Sequence, residues 1–116
     1  MLVHVVTDNH IHGGAELTHE IETSVSTALH RFEPQLTRVE VHLADENSHK
    51  SGDNDKRCTI EARLSGLPSM AASNSGGNID QAVEGALEKL IAQLEHKLGR
   101  LSDRKGRTSM GDEVAD

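Results

Sequence analysis

Aromatic side chains are almost absent from this 116-residue sequence, which has one phenylalanine and neither tyrosine nor tryptophan. The core must therefore be aliphatic, and base stacking on aromatic rings is excluded as a way of binding single-stranded nucleic acid. The only cysteine, Cys58, has no partner for a disulfide within the chain. Because it alternates in register with Ile60 and Ala62, we predict a small core residue and not a catalytic thiol.

Long hydrophobic runs and an excess of positive charge are also missing. No apolar run approaches the roughly 20 residues of a membrane span, and the amino terminus starts with a strand-like segment at residues 2–6 in place of a basic leader. We therefore expect a soluble, cytoplasmic protein. Twelve basic and nineteen acidic residues give a formal charge of −7, the wrong sign for general attraction to RNA. Any RNA contact must be local.

Alternating polar and apolar residues predict a sheet with one buried and one solvated face. The alternation is clear at 38–43 and again at 58–64. The segment between them, 45–55, is polar and rich in turn-forming residues, so it predicts an exposed hairpin loop. A weaker strand is predicted around 69–72, followed by a turn at 73–78.

Apolar residues at helical spacing predict two helices. The first stripe consists of Leu17, Ile21, Val25, Leu29 and Phe32, and we expect Pro34 to end this helix. The second stripe consists of Ile79, Val83, Ala86, Leu87, Leu90, Leu94, Leu98 and Leu101, with Asn78 as the helix cap. The element order is therefore β-α-β-β-β-α.

This order predicts an α+β fold, a four-stranded sheet with two helices packed on one face. A right-handed crossover between the first two strands places the first helix on the face that the second helix covers. The length suits one domain, which we assign to residues 1–101. Residues 102–116 have no apolar period, and we expect a flexible charged tail.

Three segments of the sequence resemble the ribosome hibernation promoting factors and ribosome-associated translation inhibitors. They are VEVHL at 39–43, IEARLSG at 60–66, and IDQA at 79–82 leading to EKLIAQL at 88–94. The resemblance extends over roughly residues 2 to 101, and the chain resembles a short-form member of the family. It implies a cytoplasmic factor that docks a basic surface of both helices on the small ribosomal subunit, in the channel for messenger and transfer RNA, during stress or stationary phase.

The positions that such a surface would use differ from the family pattern in the first helix. Where family members usually carry several lysines, this chain has TSVSTA at 23–28. A local strip of basic residues nevertheless extends along the sequence from the second helix into the tail. The candidate RNA-binding residues are Arg31, Arg38, Lys89, His96, Lys97, Arg100, Arg104, Lys105 and Arg107. The same charges would equally suit a solvated helix end, where Lys and Arg complement the helix dipole.

Catalytic and metal-binding patterns are weak. The sequence has no phosphate-cradling loop, no glycine-framed nucleophilic serine and no histidine pair at zinc-protease spacing. His4, Asp8, His10 and His12 could approach one another, but such a polar turn is usually only solvated. We expect no enzyme activity, no cofactor and no small-molecule substrate.

Two functional classes remain open. The first is a ribosome-associated factor that binds the small subunit and its RNA, mainly as a monomer when off the ribosome. The second is a diverged protein-interaction module of the same fold with little RNA affinity, which the acidic, lysine-poor surface favours.

Overall fold

The computed structural model describes residues 1–8, 11, 14–45 and 56–106, with residues 100–106 described as backbone only. The strands are β1 (Leu2–Thr7), β2 (Leu36–Asp45), β3 (Lys56–Leu64) and β4 (Leu67–Gly76), and the helices are α1 (Gly14–Ala28), a 3₁₀ helix (His30–Gln35) and α2 (Ile79–Gly106). The predicted order β-α-β-β-β-α is confirmed. No helix in this described part of the chain combines the length and apolar character that a membrane crossing requires.

The four strands form one sheet in the order β1-β2-β3-β4. The first two strands are parallel, and the other neighbours are antiparallel. Val41 lies opposite Val5 on one side and Ile60 on the other, and these side chains point to the face that both helices cover. The predicted α+β architecture, with two helices on one face, is confirmed.

The core between sheet and helices is aliphatic, as the composition requires. Leu29, Ile60, Leu90 and Leu94 are its largest fully buried side chains, and each contributes about 1.5–3 kcal/mol by leaving water. Cys58 is completely buried among them. Burial raises the pKa of its thiol to about 12, so the sulfur stays protonated at neutral pH and serves as a small packing group.

The first helix ends earlier than its apolar stripe predicts. The amide of Leu29 still donates to the Val25 carbonyl, but that of Phe32 donates to Leu29, which is the three-residue spacing of a 3₁₀ helix. Pro34 lies within this turn, lacks an N–H and disfavours α conformation at Glu33. The prediction of one continuous helix up to the proline is therefore wrong, although the apolar side chains of Leu29 and Phe32 are buried as predicted.

The last strand is longer than predicted, and residues 73–76 belong to it and not to a turn. It pairs with β3 along almost its whole length, from Lys56 opposite Gly76 to Leu64 opposite Leu67. The hydroxyls of Thr59 and Ser73 also lie 2.8 Å apart across the pair. This pairing overrides the weak strand propensity of a serine- and asparagine-rich segment.

The second helix begins where the sequence predicts but ends later than predicted. Its predicted cap is confirmed, because the amide of Gln81 donates to Oδ1 of Asn78 at 2.8 Å. The helix runs on to Gly106, so residues 102–106 of the expected tail are helical. Residues 107–116 and the expected hairpin loop at 46–55 lie outside the described residues, and the flexible tail remains a prediction.

Two glycines allow α2 to approach β4 closely. A Cβ atom at Gly76 would lie 2.7 Å from Cβ of Gln81 and 2.9 Å from the amide nitrogen of Ala82. A Cβ at Gly85 would lie 1.9 Å from Nδ2 of Asn74, whose amide already donates to the Gln81 carbonyl at 3.2 Å. The first turns of the helix thus rest almost directly on the strand.

We expect Gly76→Ala to destabilise the fold by about 1–3 kcal/mol, because the new methyl group meets backbone atoms that cannot rotate away. Gly99→Ala is the matched control, since a Cβ there meets nothing within 4 Å. It should stabilise the helix by about 0.5–1 kcal/mol through helix propensity. Urea unfolding measures the free energy of unfolding of both variants. Equal changes in the two would show that the close approach of α2 to β4 does not require glycine at position 76.

Candidate nucleic-acid interface

The second helix has three chemically distinct sides, one apolar, one cationic and one acidic. The spacing of the charged residues along the helix places basic and acidic side chains on different sides. Its apolar side rests on β3 and β4 through residues such as Ala86, Leu90 and Leu94. On one flank, Lys89 and Gln93 reach the free edge of β4. Their Nζ and Nε2 atoms donate to the carbonyl oxygens of Ser73 and Ala71, each at 3.1 Å. This flank is the candidate cationic surface.

His96 extends the same flank, because it follows Lys89 by seven residues and Gln93 by three. Its side chain is exposed, and Lys97 beside it is half-buried. We call Lys89, Gln93, His96 and Lys97 the cationic flank. It also covers the edge of β4, where unpaired carbonyl groups would otherwise invite pairing with another strand.

The opposite flank of α2 is acidic and faces α1. Asp80 and Glu84 line a groove between the two helices, and Glu20 lies across from them on α1. Further along, Glu95 forms an ion pair with Arg31 of the 3₁₀ helix. Among the residues that the structure describes, no lysine or arginine lines the groove, so the helix face that the resemblance expects to be basic has the opposite charge at this point.

Arg31 is held by two interactions. Its guanidinium pairs with Glu95 and lies 4.5 Å from the centre of the Phe32 ring. Both members of the pair are more than half exposed, at 59% and 52%, so the contact is worth at most about 1 kcal/mol. Its main effect is on charge, because Glu95 neutralises this arginine beside the first helix.

Arg38 lies on the other side of the molecule, on the open face of the sheet. Its Nε and Nη2 atoms lie 3.0 and 2.9 Å from Oε2 of Glu40. Nε2 of His42 lies 3.4 Å from the other oxygen of that carboxylate. The hydrogen bond from Arg38 is the main cause that holds the pKa of Glu40 below its usual value.

The predicted RNA-binding residues therefore do not form one surface. Lys89, His96 and Lys97 share the cationic flank of α2, whereas Arg31 is paired beside α1 and Arg38 is on the opposite sheet face. Arg100, Arg104 and Lys105 lie on the helical backbone beyond the flank, and Arg107 lies outside the described residues. The sheet, which separates the two faces, prevents these cations from converging.

Sequence reasoning missed two features of this region. Arg57 joins Arg38 and Arg63 on the open sheet face; the alternation at 58–64 already predicts Arg63 there, and extending it by one residue could have shown Arg57. The groove between the helices could not have been found, because it depends on how far apart they lie. Among the residues that the structure describes, no group of three or more His, Cys, Asp or Glu side chains could hold a metal ion.

Comparison with known proteins identifies the family. The sequence model for "Sigma 54 modulation protein / S30EA ribosomal protein" matches residues 5–102, most of the chain. The chain belongs to this family. The resemblance to ribosome hibernation factors is thereby confirmed at the level of the family.

Solved structures share the fold of this S30EA-family chain. The crystal structure of the N-terminal domain of Thermus thermophilus Protein Y is 16% identical, with a TM-score of 0.62, over 83% of this chain and 98% of that one. A ribosomal subunit interface protein from Coxiella burnetii is 15% identical, with a TM-score of 0.63, over 85% and 99% of the two chains. A search of curated protein sequences gives no match. At such identities the structures support the fold and not the details of a site.

Replacing Arg38 should raise the pKa of Glu40 towards its ordinary value, because the largest favourable interaction of the carboxylate is removed. Arg38→Met tests this by carbon-detected NMR titration of the carboxyl group, with Arg63→Met on the neighbouring strand as control. Because the folded pKa is the lower one, the interaction stabilises the native chain at neutral pH, and this contribution disappears as pH falls through that pKa. An unchanged Glu40 titration in Arg38→Met would contradict the assigned cause.

Removing the charge of Glu95 should release Arg31 for contact with a polyanion. We expect Glu95→Gln to strengthen binding to an RNA oligonucleotide by about twofold to fivefold at low salt, in line with the modest strength of an exposed pair. Fluorescence anisotropy measures the affinity. Glu88→Gln, an equal change of charge at another exposed position on α2, is the control, and equal strengthening in both variants would point to net charge alone.

Proposed function

We propose that this chain binds the small ribosomal subunit near the channel for messenger and transfer RNA and modulates translation during stress or stationary phase. One observation supports this role above the others: the family match over residues 5–102. The ribosomal subunit interface protein from Coxiella burnetii, which has the same fold, adds to this support. The action is binding and not catalysis, without a cofactor, and it is exerted in the cytoplasm by a monomer.

The contact to RNA is made by the cationic flank of α2. Lys89 and Lys97 bring charge to a rigid helix that is anchored on the sheet, and Gln93 and His96 add hydrogen-bonding groups beside them. Arg100, Arg104, Lys105 and Arg107 continue the basic sequence beyond the flank. Because the net charge is −7, RNA must approach from this direction and away from the acidic groove.

The flank can supply only a few phosphate contacts, so binding should depend on salt with a shallow slope. Each neutralised phosphate contributes roughly −0.7 to −0.9 to the slope of log affinity against log salt. Arg31 adds to the contact only if its carboxylate partner gives way, and Arg38 lies on the opposite sheet face, away from the flank. The affinity is therefore governed by α2, in contrast to a surface in which both helices are basic.

The alternative function is a diverged protein-interaction module of the same fold with little RNA affinity. The specific observation that favours it is the acidic lining of the groove between α1 and α2. This is the face on which the resemblance implies basic residues. Under the alternative, the cationic flank would only cover the edge of β4.

Reversal of two charges on the cationic flank should distinguish these functions. We expect Lys89→Glu with Lys97→Glu to weaken co-sedimentation with purified small subunits by about tenfold or more at low salt, and to reduce the salt slope by roughly 1.4–1.8, as two lost phosphate contacts require. Sucrose-gradient sedimentation at several salt concentrations measures both quantities.

The matched control is Arg57→Glu with Arg63→Glu, which changes the net charge equally on the open sheet face. It should retain most of the binding, and thermal unfolding should show that all variants fold. Equal loss in the two double variants would mean that only net charge matters. Absence of the unmodified chain from ribosomal fractions at both low and high salt would reject the ribosomal function and leave the interaction module.

A further inference from the structure

The groove between α1 and α2 has the size of a binding site and is not used by the proposed RNA contact. Its volume is about 900 Å³, within the range of roughly 300–1,000 Å³ typical of ligand sites. Eleven of the described residues line it: His19, Glu20, Ile21, Thr23, Ser24, Thr27, Ala28, Asp80, Val83, Glu84 and Leu87. It opens on the side of α2 opposite to the cationic flank.

The groove remains open because the two helices rest on different strands. The contacts of α1 with the sheet are mainly to β1, whereas α2 packs on β3 and β4. The side chains that α1 presents here, Ser24, Thr27 and Ala28, are too short to fill the space between. The floor is apolar, formed by Ile21, Val83 and Leu87, which are 4%, 6% and 7% exposed.

Of the residues described, the rim of the groove carries three carboxylates, and its only basic side chain is His19. Glu20 lies on the α1 wall, and Asp80 and Glu84 lie on the α2 wall. All three are exposed, and within the described part of the chain none of them forms an ion pair with a lysine or arginine. Three negative charges thus surround an apolar floor without a compensating cation, which would repel a phosphate backbone and attract a cationic ligand.

We propose that this groove binds a short basic amphipathic segment of a partner protein. An apolar side chain of the segment sits on the floor, and lysine or arginine side chains on either side of it reach Glu20, Asp80 and Glu84. The walls follow α1 over residues 19–28, about 14 Å at 1.5 Å per residue. This length accommodates two to three turns of a helix, the mode in which an amphipathic helix lies in an apolar groove.

The inference goes beyond the proposed function, because the groove and the cationic flank lie on opposite sides of α2. RNA on the flank and a basic segment in the groove can be bound at the same time. Loss of one site leaves the other intact, so each can be tested in the same set of proteins.

The probe is a short fluorescein-labelled peptide of lysine, arginine and leucine arranged with helical amphipathic spacing. Anisotropy titration of the full chain measures its affinity, and amide shifts in NMR spectra locate it. We expect saturable binding, with the shifts concentrated at residues 19–28 and 80–87. A peptide with serine in place of leucine, at the same charge, should bind about tenfold more weakly, because it cannot use the apolar floor.

Two pairs of charge reversals separate the groove from net charge. Glu20→Lys with Glu84→Lys should weaken the leucine peptide about tenfold or more. Glu16→Lys with Glu88→Lys, an equal change at exposed positions outside the groove, should have little effect. The milder pair Glu20→Gln with Glu84→Gln preserves side-chain size and should weaken binding by a smaller factor, and Thr27→Trp should block the groove by volume with no change of charge.

Three outcomes would overturn the proposal: equal weakening by both reversed pairs, equal affinity of the leucine and serine peptides, or amide shifts on another surface. Binding of an RNA oligonucleotide at residues 19–28 and 80–87 would assign the groove to nucleic acid instead. Sedimentation of the Glu20→Gln, Glu84→Gln variant with small subunits reports on the ribosomal function separately. Failure of the groove proposal is therefore distinguishable from failure of the proposed ribosomal function.

Discussion

The close contact between α2 and the β3–β4 pair is the constraint on which the rest of the structure depends. Gly76 and Gly85 remove the side chains that would hold the helix away from β4, and Leu90 and Leu94 fill the space above the sheet. Lys89 and Gln93 then reach the outer carbonyl groups of the edge strand. The contact thus builds the core, protects an open sheet edge and fixes the orientation of the other side chains that the structure describes on this helix.

This fixed orientation separates charges that are mixed along the sequence. Glu84, Glu88, Lys89, Glu95 and Lys97 follow each other closely in the chain, yet the lysines and Glu84 lie on opposite flanks of α2. A net charge of −7 therefore describes neither flank. The chain carries a cationic flank and an acidic groove on opposite sides of one helix, and each acts at short range because solvent ions screen charges beyond about 10 Å.

Arg31 and Arg38 are each balanced by a neighbouring carboxylate, which limits the extent of the free cationic surface. Arg31 is paired with Glu95 and Arg38 with Glu40, so each would have to exchange a carboxylate for a phosphate to contribute. Such exchange gains little free energy at an exposed site. This balance and the lysine-free stretch at 23–28 distinguish the chain from a factor with two basic helices, and under the proposed function RNA binding depends on one helix.

The sequence by itself determined the order of the elements, the buried sheet face, the cap at Asn78 and the core position of Cys58, because these follow from local alternation, helical spacing and capping chemistry. The resemblance to the family was also readable from three short segments. Only the tertiary structure decided the length of β4, since pairing with β3 overrode weak local propensity, and the end of α1 at Ala28, where a 3₁₀ turn replaced the α-helix before Pro34. It likewise decided that Arg38 is separated from Lys89 by the sheet and that the two helices leave an acidic groove. These features depend on distances between residues far apart in the chain, which periodicity does not encode.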